Sequence, residues 1–393
     1  MTLVDRIAAH HEGRDPERLV LKYKLLESSA LAFFRGTAFL FFEDLGGLPP
    51  SPLGWICGDA HLENFGVYKG DNRLVYFDFN DFDEAALAPI LWEVARMLTS
   101  VFLAAPAGEA TFLAEAFVTD YALELAAGKP RWVERSTAQG AVRDLLHSLK
   151  GRSRKDFLKR RTELRGGFRV LRCDGDIGLP LLRGQWEMLR DFLHEFGRLR
   201  GHTRFFELIS ATRRIAGNGS LGVDRFALLV EGKGSPNHNY FLDLKLANPS
   251  VVPGSKTNFS NEADRVVSIQ RRMQAVSPAF LHAVSVGGKP FILRELLPRE
   301  DRVRLRMFSD CGASLQHVLQ TQANIMAWAQ LRASGREGSE NADALIACGA
   351  DHSWHNAVID YARDYAEKIK NDFEEFKRQR ALGWPPKIPP DAP

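Results

Sequence analysis

The sequence predicts an α+β protein in which the β-strands are confined to two regions of a mainly helical chain. Strand-forming patterns with turn signals occupy residues 55–83 and about 205–297, and helical patterns fill most of the remainder. Helices and strands therefore do not alternate as in a βαβ protein, and two segregated lobes are expected. With 393 residues, of which 45% are hydrophobic, the chain is long enough to bury a large core.

Charge and cysteine content narrow the expected function classes. The net charge is only +3, so binding to nucleic acid or to a membrane surface is not expected of the chain as a whole. The four cysteines lie far apart, which fits a reducing cytoplasm better than a disulfide framework or a zinc ribbon. No apolar stretch supplies the roughly 20 residues that a membrane span needs, and no signal peptide is recognisable. A soluble cytoplasmic protein is therefore expected.

Changes of pattern along the chain predict four segments. Residues 1–130 combine a helical pattern over 16–45, a β-hairpin region and further helix, and form the first part of a helical lobe. Residues 131–204, which include a basic run at 150–165, are mostly polar and helical, as expected of a connector or insertion. Residues 205–300 are β-rich with one helix at 261–276, and residues 301–393 are helical up to a proline-rich tail.

The densest polar pattern lies around the first hairpin. Residues 58–64 read GDAHLEN, and residues 78–84, at the end of the second strand, read DFNDFDE. A hairpin folds these two ends together, which brings four oxygen-bearing side chains into one site: Asp59, Asn64, Asp78 and Asp81. Such hard oxygen ligands suit Mg²⁺, which takes carboxylates together with substrate phosphates. The alternative is a solvated acidic turn beside an N-capped helix.

A glycine-rich loop opens the second strand-rich region. Gly217, Gly219, Ser220 and Gly222 belong to a G-x-G-x-x-G-x-V pattern. A Rossmann loop of this pattern opens a helix, whereas here strand residues follow, as in the kinase loop that covers the ATP phosphates. The context therefore favours a phosphate-covering loop.

The first motif resembles a known catalytic loop. GDAHLENFG is similar to the H-G-D-x-H-x-x-N loop of the aminoglycoside and choline phosphotransferase branch of the protein-kinase-like fold, with Cys57 in place of the leading His. The resemblance implies that Asp59 is the catalytic base, that His61 belongs to the catalytic loop and that Asn64 is a Mg²⁺ ligand.

Two residues compete for the role of the metal-binding Asp. RLVYFDFN resembles the strand that leads into the kinase D-F-G motif, which implies Asp78. Counting back from the helix that begins WEVARML favours Asp81 instead. Hairpin length favours Asp78, and both residues are kept as candidates.

The second region resembles a nucleotide-binding lobe. FLDLKLA places Lys245 in the middle of a strand, where the resemblance implies a phosphate-binding lysine; the alternative is an edge-strand lysine facing solvent. The helix 261–276 follows at the position of the kinase C-helix, with Glu262 as the nominal partner of Lys245 and Gln270 as the fallback. The strand FILRELLP then implies adenine binding by backbone groups near Glu295.

These parts occur in reversed order, because the glycine-rich loop follows the catalytic loop by about 150 residues. The sequence is also similar, over about residues 18–380, to a bacterial family catalogued as domain of unknown function 2252 (DUF2252). The similar segments are SSALAFFRG, CGDAHLENFGVY, FNDFDEA, RIAGNGSLG, LDLKLA and RVVSIQRRMQ. The resemblance implies a two-lobed protein-kinase-like fold in circularly permuted order. In one departure, the stretch 330–335 lacks the family's His.

The expected function is an ATP- and Mg²⁺-dependent phosphotransferase whose acceptor is an unidentified hydroxyl compound, more readily a small molecule than a protein. Its partners are then a nucleotide and that acceptor. Two alternatives on the same fold are a nucleotide-binding pseudokinase and an AMP-transferase. A third is an ATP-independent metal phosphohydrolase with five ligands: Asp59, His61, Asp78, Asp81 and Asp83.

Overall fold

A computed structural model describes residues 1–106, 108–151, 153–174, 178–217, 219, 221–254, 259–296 and 312–385. These residues form an α+β protein. Their α-helices are α1 (Leu3–His10), α2 (Pro16–Leu26), α3 (Ala30–Gly36), α4 (Ala38–Glu43), α5 (Ile90–Ala104), α6 (Ala110–Ala127), α7 (Gly140–Ser148), α8 (Arg154–Arg161), α9 (Gln185–Leu199), α10 (Glu262–Met273), α11 (Gly312–Ala333), α12 (Ala342–Ala350) and α13 (His355–Ala381). None of them is both long and apolar enough to cross a membrane.

The strands pair antiparallel throughout the described residues. They are β1 (Leu53–Ile56), β2 (Phe65–Lys69), β3 (Val75–Phe79), β4 (Ala86–Pro89), β5 (Val133–Glu134), β6 (Thr162–Arg165), β7 (Phe168–Leu171), β8 (Gly178–Leu179), β9 (Leu208–Arg214), β10 (Arg225–Val230), β11 (Tyr240–Leu246), β12 (Leu281–Val286) and β13 (Lys289–Glu295). β12-β13-β11-β10-β9-β8 form a six-stranded sheet, β2-β3-β5 a three-stranded one, and β1-β4 and β6-β7 two pairs.

The six-stranded sheet is covered on both faces. Along β10, Phe226 and Leu228 join a hydrophobic cluster with residues of α9, whereas Leu229 joins a smaller cluster with Leu158 of α8. This alternation follows from the two-residue period of a strand. The end of the second face nearest the glycine-rich loop is charged instead, since it carries Arg225 next to Lys245 in the register. That charged end points to the rest of the molecule.

The early hairpin is built into the main hydrophobic cluster, which the helices on both sides of it complete. Phe65 and Phe77 of the hairpin are buried there with residues of α3, α5, α6, α11 and α13. Helices from the two ends of the chain therefore enclose the hairpin.

Two helical predictions differ from the structure. The helical pattern over 16–45 is divided into three helices, because Ser29 caps α3 by accepting from Ala32 N–H. The basic run 150–165 ends its helix at Arg161 and continues as β6, because Gly166 and Gly167 both have positive φ and form the turn to β7. The predicted helix at 261–276 is confirmed as α10, with Asn261 as its N-cap.

Gly58 allows the loop after β1 to pass close to the loop after β3. Its φ is +82°, and a Cβ atom there would lie 2.0 Å from the backbone oxygen of Glu84. We expect Gly58→Ala to destabilise the protein by about 2–4 kcal/mol, because strain and a backbone clash add together. Urea unfolding measures this. Gly46→Ala is the matched control, since nothing lies within 4 Å of its Cβ position, and an equal loss in both variants would contradict the close approach.

Candidate functional site

A polar pocket lies where the early hairpin meets the six-stranded sheet. Its walls come from the N-terminal helices, the loops after β1 and β3, the glycine-rich loop and the segment after β11. The predicted site residues that line it are Asp59, His61, Asn64, Asp81, Gly217, Gly219 and Lys245. The fold thus brings two motifs about 150 residues apart to one cavity.

Asn64 joins the two loops of the early hairpin. Its side-chain amide donates to the backbone oxygens of Asp59, at 2.9 Å, and Asp81, at 3.2 Å. Its Oδ1 accepts from the backbone N–H of Asp81 at 2.9 Å. The side chain therefore acts as a staple between the loops, and its oxygen keeps a second lone pair for a ligand.

Asp59 is oriented by a buried arginine. Its Oδ1 accepts from Arg96 Nε at 2.9 Å and from Nη2 at 2.5 Å, and the guanidinium packs over Phe34. The other oxygen, Oδ2, lies 4.0 Å from His61 Nε2. One carboxylate oxygen is therefore held in place while the group as a whole lines the pocket.

His61 is buried beside a second arginine. Arg35 Nε donates to His61 Nε2 at 3.2 Å, and the same guanidinium pairs with Glu63. Arg35, His61 and Glu63 all line the pocket. His61 is thus placed next to Asp59, as the resemblance implies, and a cation stands directly behind it.

Lys245 connects the sheet to the early hairpin. Its ammonium pairs with the Asp83 carboxylate and lies 3.8 Å from Oδ1 of Asp81. The lysine side chain is nearly buried, at 4% exposure, so the alternative of an edge-strand lysine facing solvent is wrong. Because Lys245 and Asp83 come from the two different motifs, this pair defines the junction between them.

The structure favours Asp81 over Asp78 as the ligand-facing carboxylate. Asp78 is 3% exposed and accepts from the backbone N–H groups of Phe79 and Ala275 and, at 3.4 Å, from Arg332. Burial raises the pKa of the Asp78 carboxyl. Asp81 keeps 34% of its side chain exposed and lines the pocket. The preference for Asp78, which rested on hairpin length, is therefore corrected.

Helix α10 contacts residues of the pocket through an arginine, whereas a glutamate of this helix was expected to pair with Lys245. Glu262 pairs with Arg265 at 2.5 Å, and Gln270 donates to Gln274, so the described residues form neither expected pair with Lys245. Arg265 donates to the backbone oxygens of Asp83 and Asn248, both at 2.9 Å. It therefore fixes the backbone that carries Asp83. Glu262 pairs with Arg265 because the two residues lie three apart on the same face of the helix.

The remaining predicted residues lie at the margin of the pocket or beyond it. Glu295 ends β13 opposite Leu242 and lines a separate small cleft with Tyr68 and Arg294. Gly222 has a φ of +91° and borders a neighbouring cavity beside Arg14. Ser220 lies outside the described residues.

The contacts between the N-terminal region and the glycine-rich loop were not predicted from the sequence. Arg14 and Lys22 each donate to the Gly219 oxygen at 2.9 Å, and Arg18 donates to the Val223 oxygen at 2.8 Å. These three residues are spaced four apart in the sequence. Arg18 and Lys22 lie one turn apart on α2, but Arg14 precedes that helix, so no helical periodicity links all three to the loop.

The position that replaces the leading His of the catalytic loop is buried. Cys57 donates its backbone N–H to Glu93 Oε1 at 2.6 Å, and Gln330 donates to Glu93 Oε2 at 2.9 Å. Burial raises the pKa of both the Cys57 thiol and the Glu93 carboxyl. Gln330, in the stretch that departs from the family pattern, is therefore part of the support beneath the loop.

The oxygen donors at the pocket suit a magnesium ion that also binds substrate phosphates. Asp81 and Asp83 supply partly exposed carboxylates, and Asn64 supplies an amide oxygen beside them. Within the described ranges, no group of three or more His, Cys, Asp or Glu residues is arranged to hold a metal by itself. The residues thus fit Mg²⁺ bound with one or two carboxylates and phosphate oxygens.

Fold and site together define an α+β protein with one polar pocket between a hairpin and an antiparallel sheet. The chain belongs to the family described as an uncharacterized protein conserved in bacteria (DUF2252), whose model matches residues 14–379. The family resemblance found in the sequence is therefore confirmed. Searches of curated proteins and of solved structures found no match.

The different surroundings of Asp78 and Asp81 can be tested by substituting each residue. We expect Asp78→Asn to lower the free energy of unfolding by about 1–3 kcal/mol, because the half-buried Arg332 loses its carboxylate partner. The isosteric Asp81→Asn leaves Lys245 paired with Asp83 and changes stability by less than about 1 kcal/mol. Urea denaturation of both variants measures the difference. A larger loss at position 81 than at 78 would contradict the placement.

Proposed function

We propose that the protein is an ATP- and Mg²⁺-dependent phosphotransferase with kinase-like parts in permuted order. The observation that carries the proposal is the ion pair between Lys245 and Asp83, which lies in the same pocket as Asp59 and Gly219. Phosphoryl transfer needs a phosphate-binding lysine, acidic metal ligands and a hydroxyl-orienting carboxylate around one substrate. All three kinds of residue line this pocket.

The order of elements within the sheet region supports the proposal. The glycine-rich loop joins β9 to β10, Lys245 lies on the next strand, β11, and helix α10 follows before β12. In protein kinases the glycine-rich loop, the lysine strand and the αC helix follow one another in the same order. The catalytic loop then precedes this unit instead of following it.

The side chains take the following roles in the proposal. Asp59, held by Arg96, accepts the proton of the acceptor hydroxyl through its second oxygen. Lys245 exchanges Asp83 for phosphate oxygens when nucleotide enters. Asn64 and Asp81, with Asp83, hold the metal. Bound Mg²⁺ supplies neutralisation of the charge on the phosphate oxygens.

Nucleotide binding gives the first test. Mg²⁺–ATP at a hundredfold excess over its Kd is expected to stabilise the protein by about 2.7 kcal/mol. Lys245→Met removes most of this gain, because the cation that faces the phosphates is lost. The matched control is Lys233→Met, because Lys233 is exposed and lies in the turn between β10 and β11 of the same sheet. Differential scanning calorimetry measures each variant with and without Mg²⁺–ATP, and no stabilisation of the unmodified protein would overturn the proposal.

Loss of the base gives the second test. We expect Asp59→Asn to keep the stabilisation by Mg²⁺–ATP but to lower basal ATP hydrolysis about 10²-fold, the scale of general-base loss. Release of labelled terminal phosphate measures the rate. Undiminished hydrolysis in the variant would contradict the role of Asp59. Label retained on the protein from the α-phosphate would instead support AMP transfer.

A further inference from the structure

Two cations from the N-terminal region, Arg14 just before α2 and Lys22 on α2, converge on the glycine-rich loop. Arg14 Nη1 and Lys22 Nζ each donate to the Gly219 oxygen at 2.9 Å. Both side chains come from a part of the chain that contains neither of the two sequence motifs. We call Arg14 and Lys22 the N-terminal cation pair.

The hydrogen-bond partners of Arg14 among the described residues are all neutral. Its guanidinium donates to the backbone oxygens of Gly219 and Leu221 and, at 3.2 Å, to His10 Nε2. Burial, with Arg14 and Lys22 nearby, lowers the pKa of His10 to about 4, so this imidazole is neutral at pH 7 and accepts the bond. Among the described residues, Arg14 has no ion pair with a carboxylate. Of its five N–H groups, two remain for a ligand.

The second cation adds positive charge to the same place. Lys22 is fully buried, and burial together with Arg14 lowers the pKa of its ammonium group. Burial also lowers the pKa of Arg14. Two like charges on a common oxygen repel each other, and an anion bound by Arg14 would reduce that repulsion.

Arg14 lines the proposed catalytic pocket, and the fully buried Lys22 contacts the same Gly219 oxygen as Arg14. Arg14 and His10 line the same cavity as Asp59, and so does Arg35. Lys245 lies at the acidic hairpin, where it pairs with Asp83. The pocket therefore has a second basic region separate from the lysine that the phosphotransferase proposal uses.

We propose that Arg14, with the buried Lys22 beside it, forms an anion subsite that binds a phosphate group within this pocket. An arginine fork and an ammonium group are the side chains that bind phosphate most strongly. The phosphate comes either from the nucleotide or from an acceptor that is itself phosphorylated. Only this choice of source rests on the proposed phosphotransferase function, since phosphate binding itself requires no nucleotide.

Inorganic phosphate without nucleotide is the probe for the subsite. By isothermal titration calorimetry, we expect Arg14→Gln to weaken phosphate binding about tenfold or more, because a charge-assisted bidentate contact is lost. Arg14→Lys keeps the charge and loses less. The matched control is Arg6→Gln, because Arg6 lies on the preceding helix, α1, and pairs with Glu43 and Asp44. Equal phosphate affinity in Arg14→Gln and the unmodified protein, or an equal loss in Arg6→Gln, would overturn the subsite.

A second measurement uses the unmodified protein and so does not depend on how the variants fold. Phosphate is expected to slow the modification of Arg14 by phenylglyoxal while Arg6 reacts at an unchanged rate, as followed by peptide mass spectrometry. Equal rates at Arg14 with and without phosphate would overturn the proposal.

Competition distinguishes the two sources of the phosphate group. If Mg²⁺–ATP displaces inorganic phosphate, the subsite holds phosphates of the nucleotide. If both bind together, it holds the phosphate of the acceptor. A protein that binds phosphate through Arg14 but is not stabilised by Mg²⁺–ATP would end the phosphotransferase proposal and leave the subsite standing.

Discussion

Lys245 reaches from the six-stranded sheet to Asp83 and Asp81 of the early hairpin, and this ion pair closes the pocket between two distant parts of the chain. Desolvation of the nearly buried ammonium offsets much of the attraction, so the pair contributes position more than stability. The hairpin side is made rigid by the Asn64 staple, and Arg265 holds the backbone at Asp83. Without these contacts the glycine-rich loop would not face the acidic loops.

The charges of the pocket are arranged so that each carboxylate has a fixed neighbour and an accessible side. Asp59 is held by Arg96 through one oxygen, and Asp81 is held through its backbone by Asn64. This division preorganises the carboxylates for ligands while limiting the cost of burying them. The N-terminal helices add basic groups from a third part of the chain, so the site is assembled from early, middle and late segments of one sequence.

Local patterns predicted the elements better than the side-chain directions. The hairpin, the helix α10 and the α+β class follow from turn signals, capping and periodicity, which act over a few residues. The choice between Asp78 and Asp81 depends on where the strand ends: Asp78 still lies within β3 and is buried, whereas Asp81 lies two residues beyond it. Glu262, the predicted partner of Lys245, pairs instead with Arg265, which lies on the same helix. The contacts of Arg14 and Lys22 span about 200 residues, and no local rule reports such a distance.

A crystal structure with Mg²⁺ and a non-hydrolysable ATP analogue tests the central claim, that the two motifs form one nucleotide site, most directly. The account predicts a metal ion bound to the Asp81 carboxylate at about 2.0–2.1 Å, the length typical of Mg²⁺–oxygen bonds. It also predicts the terminal phosphates of the analogue between Lys245 and Gly219. An ordered analogue elsewhere on the protein, or one in the pocket with Lys245 still paired to Asp83 and no metal at Asp81, would contradict the account.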